Sequence, residues 1–151
     1  MKFIAYPVLT MMTLAASLSS ANELPLATAR KIATRALSYA GKRSFKVSVA
    51  IVNAEGGLLL FERGDGSYPG SIEVSQQKAQ SANAFQRPTS AFVQAVQSGR
   101  TGLLTGKGIV AIEGGVPIVV NGKHVGAIGV SGARALEDEE VANDAIKALA
   151  E

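Results

Sequence analysis

Val116-Pro117-Ile118-Val119-Val120-Asn121-Gly122-Lys123-His124-Val125-Gly126-Ala127-Ile128-Gly129-Val130 decides the fold: two runs rich in β-branched residues joined by a two-residue link. Asn121 and Gly122 both accept the positive φ of a tight primed turn, so the spacing predicts antiparallel strands over residues 116–120 and 125–130. Just upstream, after a loop punctuated by Gly102, Gly106 and Gly108, residues 109–112 read as a further strand. Downstream, residues 137–150 read as a closing helix. Val141, Ala145, Ile146 and Leu149 point inward, and Glu137, Asp138 and Glu139 sit at the N-terminal end, where negative charge is favoured.

A second hairpin lies nearer the start. Phe45, Val47, Val49 and Ile51 alternate with Lys46, Ser48 and Ala50; Ala54-Glu55-Gly56-Gly57 turns the chain, and residues 58–61 form the return strand. The turn-forming stretch 63–70 ends it. Residues 71–85 and 90–97 then read as two helices separated by Arg87-Pro88-Thr89, because the residue before a proline disfavours helix. The first helix spans 24–40, with Leu26, Ala29, Ala33, Ala36, Leu37 and Ala40 at three- and four-residue spacings and Gly41 as its stop. The order α-β-β-α-α-β-β-β-α predicts an α/β fold of the α+β type, with a central five-stranded antiparallel sheet flanked by helices.

The 151 residues are 47% hydrophobic and 18% charged, which suits one domain. The formal charge of +3 is scattered, too mild a bias for a nucleic-acid binder. Residues 1–21 have the pattern of a signal peptide: Lys2, then an apolar run, then Ser19-Ser20-Ala21 with small residues at the cleavage positions. We therefore expect a periplasmic or secreted single domain over 22–151, with no stable membrane insertion after cleavage. All three methionines lie in the removed segment, and the chain has no cysteine, no tryptophan and one histidine. Disulfides, thiolate chemistry and a Cys/His zinc site are thereby excluded.

The abundant glycines form neither a phosphate loop nor a dinucleotide fingerprint. Gly129-Val130-Ser131-Gly132 looks like half a nucleophile elbow without a suitably placed histidine. Turn chemistry does not explain the ionic and hydroxyl residues Arg63, Asp65, Lys78, Arg87, Thr89 and Glu113. They are either a solvated rim or, if the fold gathers them, a seat for a small acidic ligand. His124, directly after the turn, reads first as an exposed hairpin residue, and otherwise as an axial donor to haem iron.

Five motifs occur in order: Phe61-Glu62-Arg63-Gly64-Asp65-Gly66, Lys78-Ala79, Phe85-Gln86-Arg87-Pro88-Thr89, Glu113-Gly114-Gly115-Val116-Pro117-Ile118 and Gly126-Ala127-Ile128-Gly129-Val130-Ser131-Gly132. This succession resembles the GlcG/HbpS haem-binding family, related to the C-terminal domain of PduO-type proteins, over essentially the whole chain after residue 22. The resemblance implies a PduO C-terminal-like, profilin-like domain that assembles into a homo-oligomer and binds haem. It places the family's threonine at Thr89 and its lysine at Lys78. The haem-site candidates are Thr89, Lys78, Arg87, Asp65 and His124, with Thr89 or His124 as donor to the iron and Lys78 or Arg87 meeting the propionates. The histidine that some relatives carry on the first helix has no counterpart in residues 24–40. The expected function is exported haem capture, storage or sensing without a dedicated catalytic site. Two alternatives stay open: an enzyme or accessory acting on haem, another tetrapyrrole or a small acid, with Asp65 and Glu113 as the acid/base candidates, or a ring-forming module that docks a membrane sensor or transporter.

Overall fold

The structure, a computed structural model, describes residues 23–150; the expected signal peptide lies outside them. Helix α1 (Leu26–Lys42) buries Ala29, Ile32, Ala33, Ala36 and Ala40, the stripe that its periodicity predicts. It runs through Gly41. The left-handed turn that closes it falls to Ser44, with φ 60°, while the Arg43 and Phe45 amides cap the Ala40 carbonyl.

Strands β1 (Ser48–Asn53) and β2 (Leu58–Arg63) form the first hairpin, and β3 (Gly115–Val120) and β4 (Lys123–Ser131) the second. Asn121 and Gly122 take φ of 51° and 75°, the primed turn expected of them. The two hairpins join through β1 and β4, giving one antiparallel sheet in the order β2-β1-β4-β3. Between β1 and β2 lies helix-free turn only; after β2 come α2 (Gly70–Phe85), α3 (Ser90–Gln97) and a 3-10 helix at Thr101–Thr105. Helix α4 (Ala135–Ala145) follows β4 and tightens into a 3-10 turn, Ile146–Ala150, so the expected closing helix is present but changes pitch at its end.

The sheet has four strands, not the five expected. Residues 109–112 are an irregular segment whose Val110 N–H donates to Ser81 Oγ on α2, 3.0 Å away. The free edge of β3 also offers poor pairing. Val130 N–H donates to Gly114 O, and the alternation that this sets turns the nitrogen of Pro117 outward, leaving the middle of the edge without a donor.

Helices α1 and α4 cover one face of the sheet, with Val49, Ile51, Val116, Ile118, Ile128 and Val130 beneath them. Helix α2 covers the other face through small residues: Ala79 and Ala82 pack on Ala50, Val52 and Ala127. The approach is close enough that a Cβ on Gly129 would stand 2.0 Å from the Ser75 carbonyl oxygen. The small-residue character of both surfaces is what brings Lys78, in the middle of α2, down against β4.

Candidate functional site

Lys78 is 1% exposed. Its Nζ donates to Asp138 Oδ2 and to the Val130 carbonyl oxygen, each at 2.9 Å. Asp138, buried in the first turn of α4, accepts the Ala133 N–H on its other oxygen at 2.9 Å. One ion pair thus bolts α2 to β4 and α4. Burial pulls the Lys78 ammonium below its usual range and pushes the Asp138 carboxyl above its own, while their contact opposes both shifts. The charges of Glu113 and Glu139 also favour the ammonium.

Thr89 joins this node from the corner between α2 and α3. It is fully buried; its N–H donates to Gly115 O at 2.9 Å, and its Oγ1 accepts the Gly115 N–H at 3.0 Å. Gly114 is held at φ 115°, where a Cβ would meet Val130 O at 2.7 Å and Lys78 Nζ at 3.0 Å. Next door, Ser90 Oγ donates to Glu139 Oε1 at 2.6 Å. Lys78 and Thr89 therefore do come together, with the charge of Glu113 felt by the ammonium, but around an interior ion pair.

The other sequence candidates stand apart from that node. Arg87 is exposed, its guanidinium 5.8 Å from the centre of the Phe92 ring, which packs edge-on against Phe85 at 5.3 Å. Asp65 is exposed on the loop after β2, beside a cavity of about 360 Å³ also lined by Lys46 and Arg63. Arg63 donates to the Ser67 carbonyl oxygen and so stiffens that loop.

His124 is half-buried, which corrects the expectation of an exposed hairpin residue. The physical reason is a bulge: Ile118 pairs with Gly126 and Val119 with His124, so Val125 is extra and takes the α1 side of the sheet. Alternation then turns His124 to the α2 side. Its Nε2 is enclosed and has no hydrogen-bond partner.

Two features escaped sequence reasoning. In the sequence Asp138 is only a charge near a helix N-terminus, though a lysine among Ser75, Ala79 and Ala82 on a buried face calls for a counter-ion. The buried hydroxyls of Ser48 and Ser71, 2.8 Å apart, link β1 to the start of α2 and leave no mark in local pattern. Among the described residues no three His, Asp or Glu side chains converge as a metal site. A haem needs less: one donor and a cation or two. Among the described residues neither His124 Nε2 nor Arg87 has a hydrogen bond or ion pair to give up, so both fit those roles, His124 after its enclosed ring turns outward.

A four-stranded antiparallel sheet between two helical layers, with its central helix bolted down by a buried lysine, defines a small three-layer α+β domain. Residues 24–147 match the sequence family described as "Haem degrading protein HbpS-like", and the chain belongs to that family. GlcG of Escherichia coli K12 is 39% identical over 92 residues, 61% of this chain and 69% of GlcG. The crystal structure of a double mutant of Streptomyces reticuli HbpS superimposes with a TM-score of 0.79 at 32% identity, covering 97% of this chain and 98% of that one. That of a PduOC:heme complex does so with a TM-score of 0.76 at 25% identity, covering 83% and 94%.

Proposed function

We propose that this chain is an exported haem-binding protein serving capture, storage or sensing. The observation that carries the reading is its membership of the HbpS-like family across residues 24–147, supported by its likeness to a haem-bound relative. Bound haem would supply an iron centre open to axial ligation and redox change. On this chain His124 would be the donor to the iron once its ring turns to bring the enclosed Nε2 outward, because among the described residues that atom has no hydrogen bond to lose, whereas Thr89 would have to release the Gly115 amide. Arg87 would pair with a propionate, and the Phe85 and Phe92 side chains beside it would offer apolar contact. Lys78 holds the site's framework, its charge being taken up by Asp138. Self-association is part of the proposal and is supported by exposed apolar side chains at Phe85, Leu104 and Ile112.

The test is a haem titration of residues 22–151 followed at the Soret band, with His124→Ala, Thr89→Ser and Arg87→Gln alongside. Saturable binding is expected, with the band displaced in His124→Ala, weakened affinity in Arg87→Gln and little change in Thr89→Ser. A linear, non-saturating response of the unmodified chain overturns the reading. The family's description favours a second reading, haem turnover. Adding a reductant and oxygen separates the two: a binder keeps its Soret band, and a degrading enzyme bleaches it and releases iron.

A further inference from the structure

Two depressions lie away from the Lys78–Asp138 pair, from Thr89 and from Arg87. One, of about 580 Å³, opens between the start of α1, the β3–β4 turn and the last 3-10 turn, and its walls include Leu24, Val120, Val125 and Leu149. The other, of about 690 Å³, runs along α1 past Arg30, Lys31, Arg35 and Lys42. Lys31 and Ala148 line both, so the two adjoin there, and we treat them as one trough, apolar at the hairpin end and cationic along the helix.

The cations in the trough are not equivalent. Arg35 is committed to Asp144, with Nε donating to the carbonyl oxygen at 2.8 Å and to Oδ2 at 3.0 Å. Asp144, which also holds Lys147, is among the described residues the one carboxylate lining the helix end. Arg30, Lys31 and Lys42 have no ion pair among the described residues, and Lys123 adds a further cation at the apolar end, where Glu23 faces it across the opening. Positive charge is therefore in excess just where the apolar walls end.

We propose that this trough binds an amphipathic anion: a molecule with an apolar body, lodged against Val120, Val125 and Leu149, and one carboxylate or sulfonate head at Lys31 and Arg30. Charge complementarity selects the head and the apolar walls select the body. The site is separate from the proposed haem contacts. It has no imidazole, and the Tyr39 hydroxyl that borders it is bonded to Glu140.

The probe is 8-anilinonaphthalene-1-sulfonate, compared with N-phenyl-1-naphthylamine, which has the same rings and no charge. Both are titrated by fluorescence into residues 22–151, a segment that contains every element of the core. The chain is expected to prefer the sulfonate by about tenfold or more, and Lys31→Glu to abolish that preference while leaving the uncharged probe unaffected. Lys107→Glu, outside the trough, is the control for net charge. Equal affinity for the two probes, or an equal loss in Lys107→Glu, overturns the proposal. So does displacement of the sulfonate by one equivalent of haem. A chain that binds the sulfonate but no haem would refute the haem reading alone.

Discussion

Replacing Asp138 by Asn tests the internal ion pair most directly. The substitution keeps the shape but removes the charge that faces Lys78 Nζ at 2.9 Å, leaving an ammonium that is 1% exposed with neutral acceptors only. Breaking a buried pair from one side costs about 3–5 kcal/mol, a large part of the roughly 5–15 kcal/mol that holds a domain folded. At about 3–5 °C per kcal/mol for a domain of this size, the melting temperature at pH 7 should fall by roughly 10–20 °C. The pH dependence supplies the signature. With Asp138 gone, burial is opposed only by the charges of Glu113 and Glu139 and holds the folded-state pKa of Lys78 further below the unfolded value. The folded chain then binds fewer protons than the unfolded one between those two values, so stability relative to the unmodified chain should climb as pH rises toward 10. Circular dichroism melts at pH 7 and 9.5 read both effects. A melting temperature within about 3 °C of the unmodified chain at pH 7, or a deficit that does not shrink at pH 9.5, would refute the reasoning. The double substitution Lys78→Met with Asp138→Leu removes both charges and should recover most of the loss, since no ion is left unpaired.

Other consequences are as direct. Gly129→Ala places a Cβ 2.0 Å from the Ser75 backbone oxygen and should cost about 3 kcal/mol or more, measured by urea unfolding, because neither helix nor sheet can yield locally. Gly122→Val puts a β-branched residue at φ 75° in the second hairpin and should destabilise by about 1–2 kcal/mol without altering the far-ultraviolet spectrum of what remains folded. At Asp144 burial raises the carboxyl pKa, but the bonds from Arg35 and Lys147 outweigh it and hold the group below the usual carboxylate range. Its stabilising contribution is therefore present above the unfolded carboxylate pKa and lost as pH falls through the lower folded value. Melts between pH 7 and 2 should accordingly show an acid-side loss that is smaller in Arg35→Ala, which at pH 7 should itself be about 1–2 kcal/mol less stable.

Local chemistry was enough to place the two hairpins and the four main helices. Asn121-Gly122 dictates its turn by backbone sterics alone, and the alanine stripe of α1 is a three- to four-residue period that any buried helix face imposes. The five ordered motifs were also legible, and with them the family. The reading of 109–112 as a strand failed for a reason outside the segment: β-branched residues favour extension, but a strand needs a partner edge, and Ser81 on α2 takes the Val110 amide instead. The place of His124 is not legible locally, because a bulge at Val125, set by pairing with β3, inverts the side on which it lies.

The sequence by itself determined the two hairpins and the four main helices, because each depends on neighbours within a few positions, but not whether residues 109–112 would find a partner strand. Only the tertiary structure decided what the charged and hydroxyl residues do. Lys78 and Asp138 are 60 positions apart, and Thr89 and Gly115 are 26 apart. Whether such residues face water, a ligand or each other depends on how closely α2 settles on a floor of glycine and alanine. That distance belongs to the packing of two surfaces, and the same packing takes Lys78 out of a ligand's reach while leaving the trough beside α1 open.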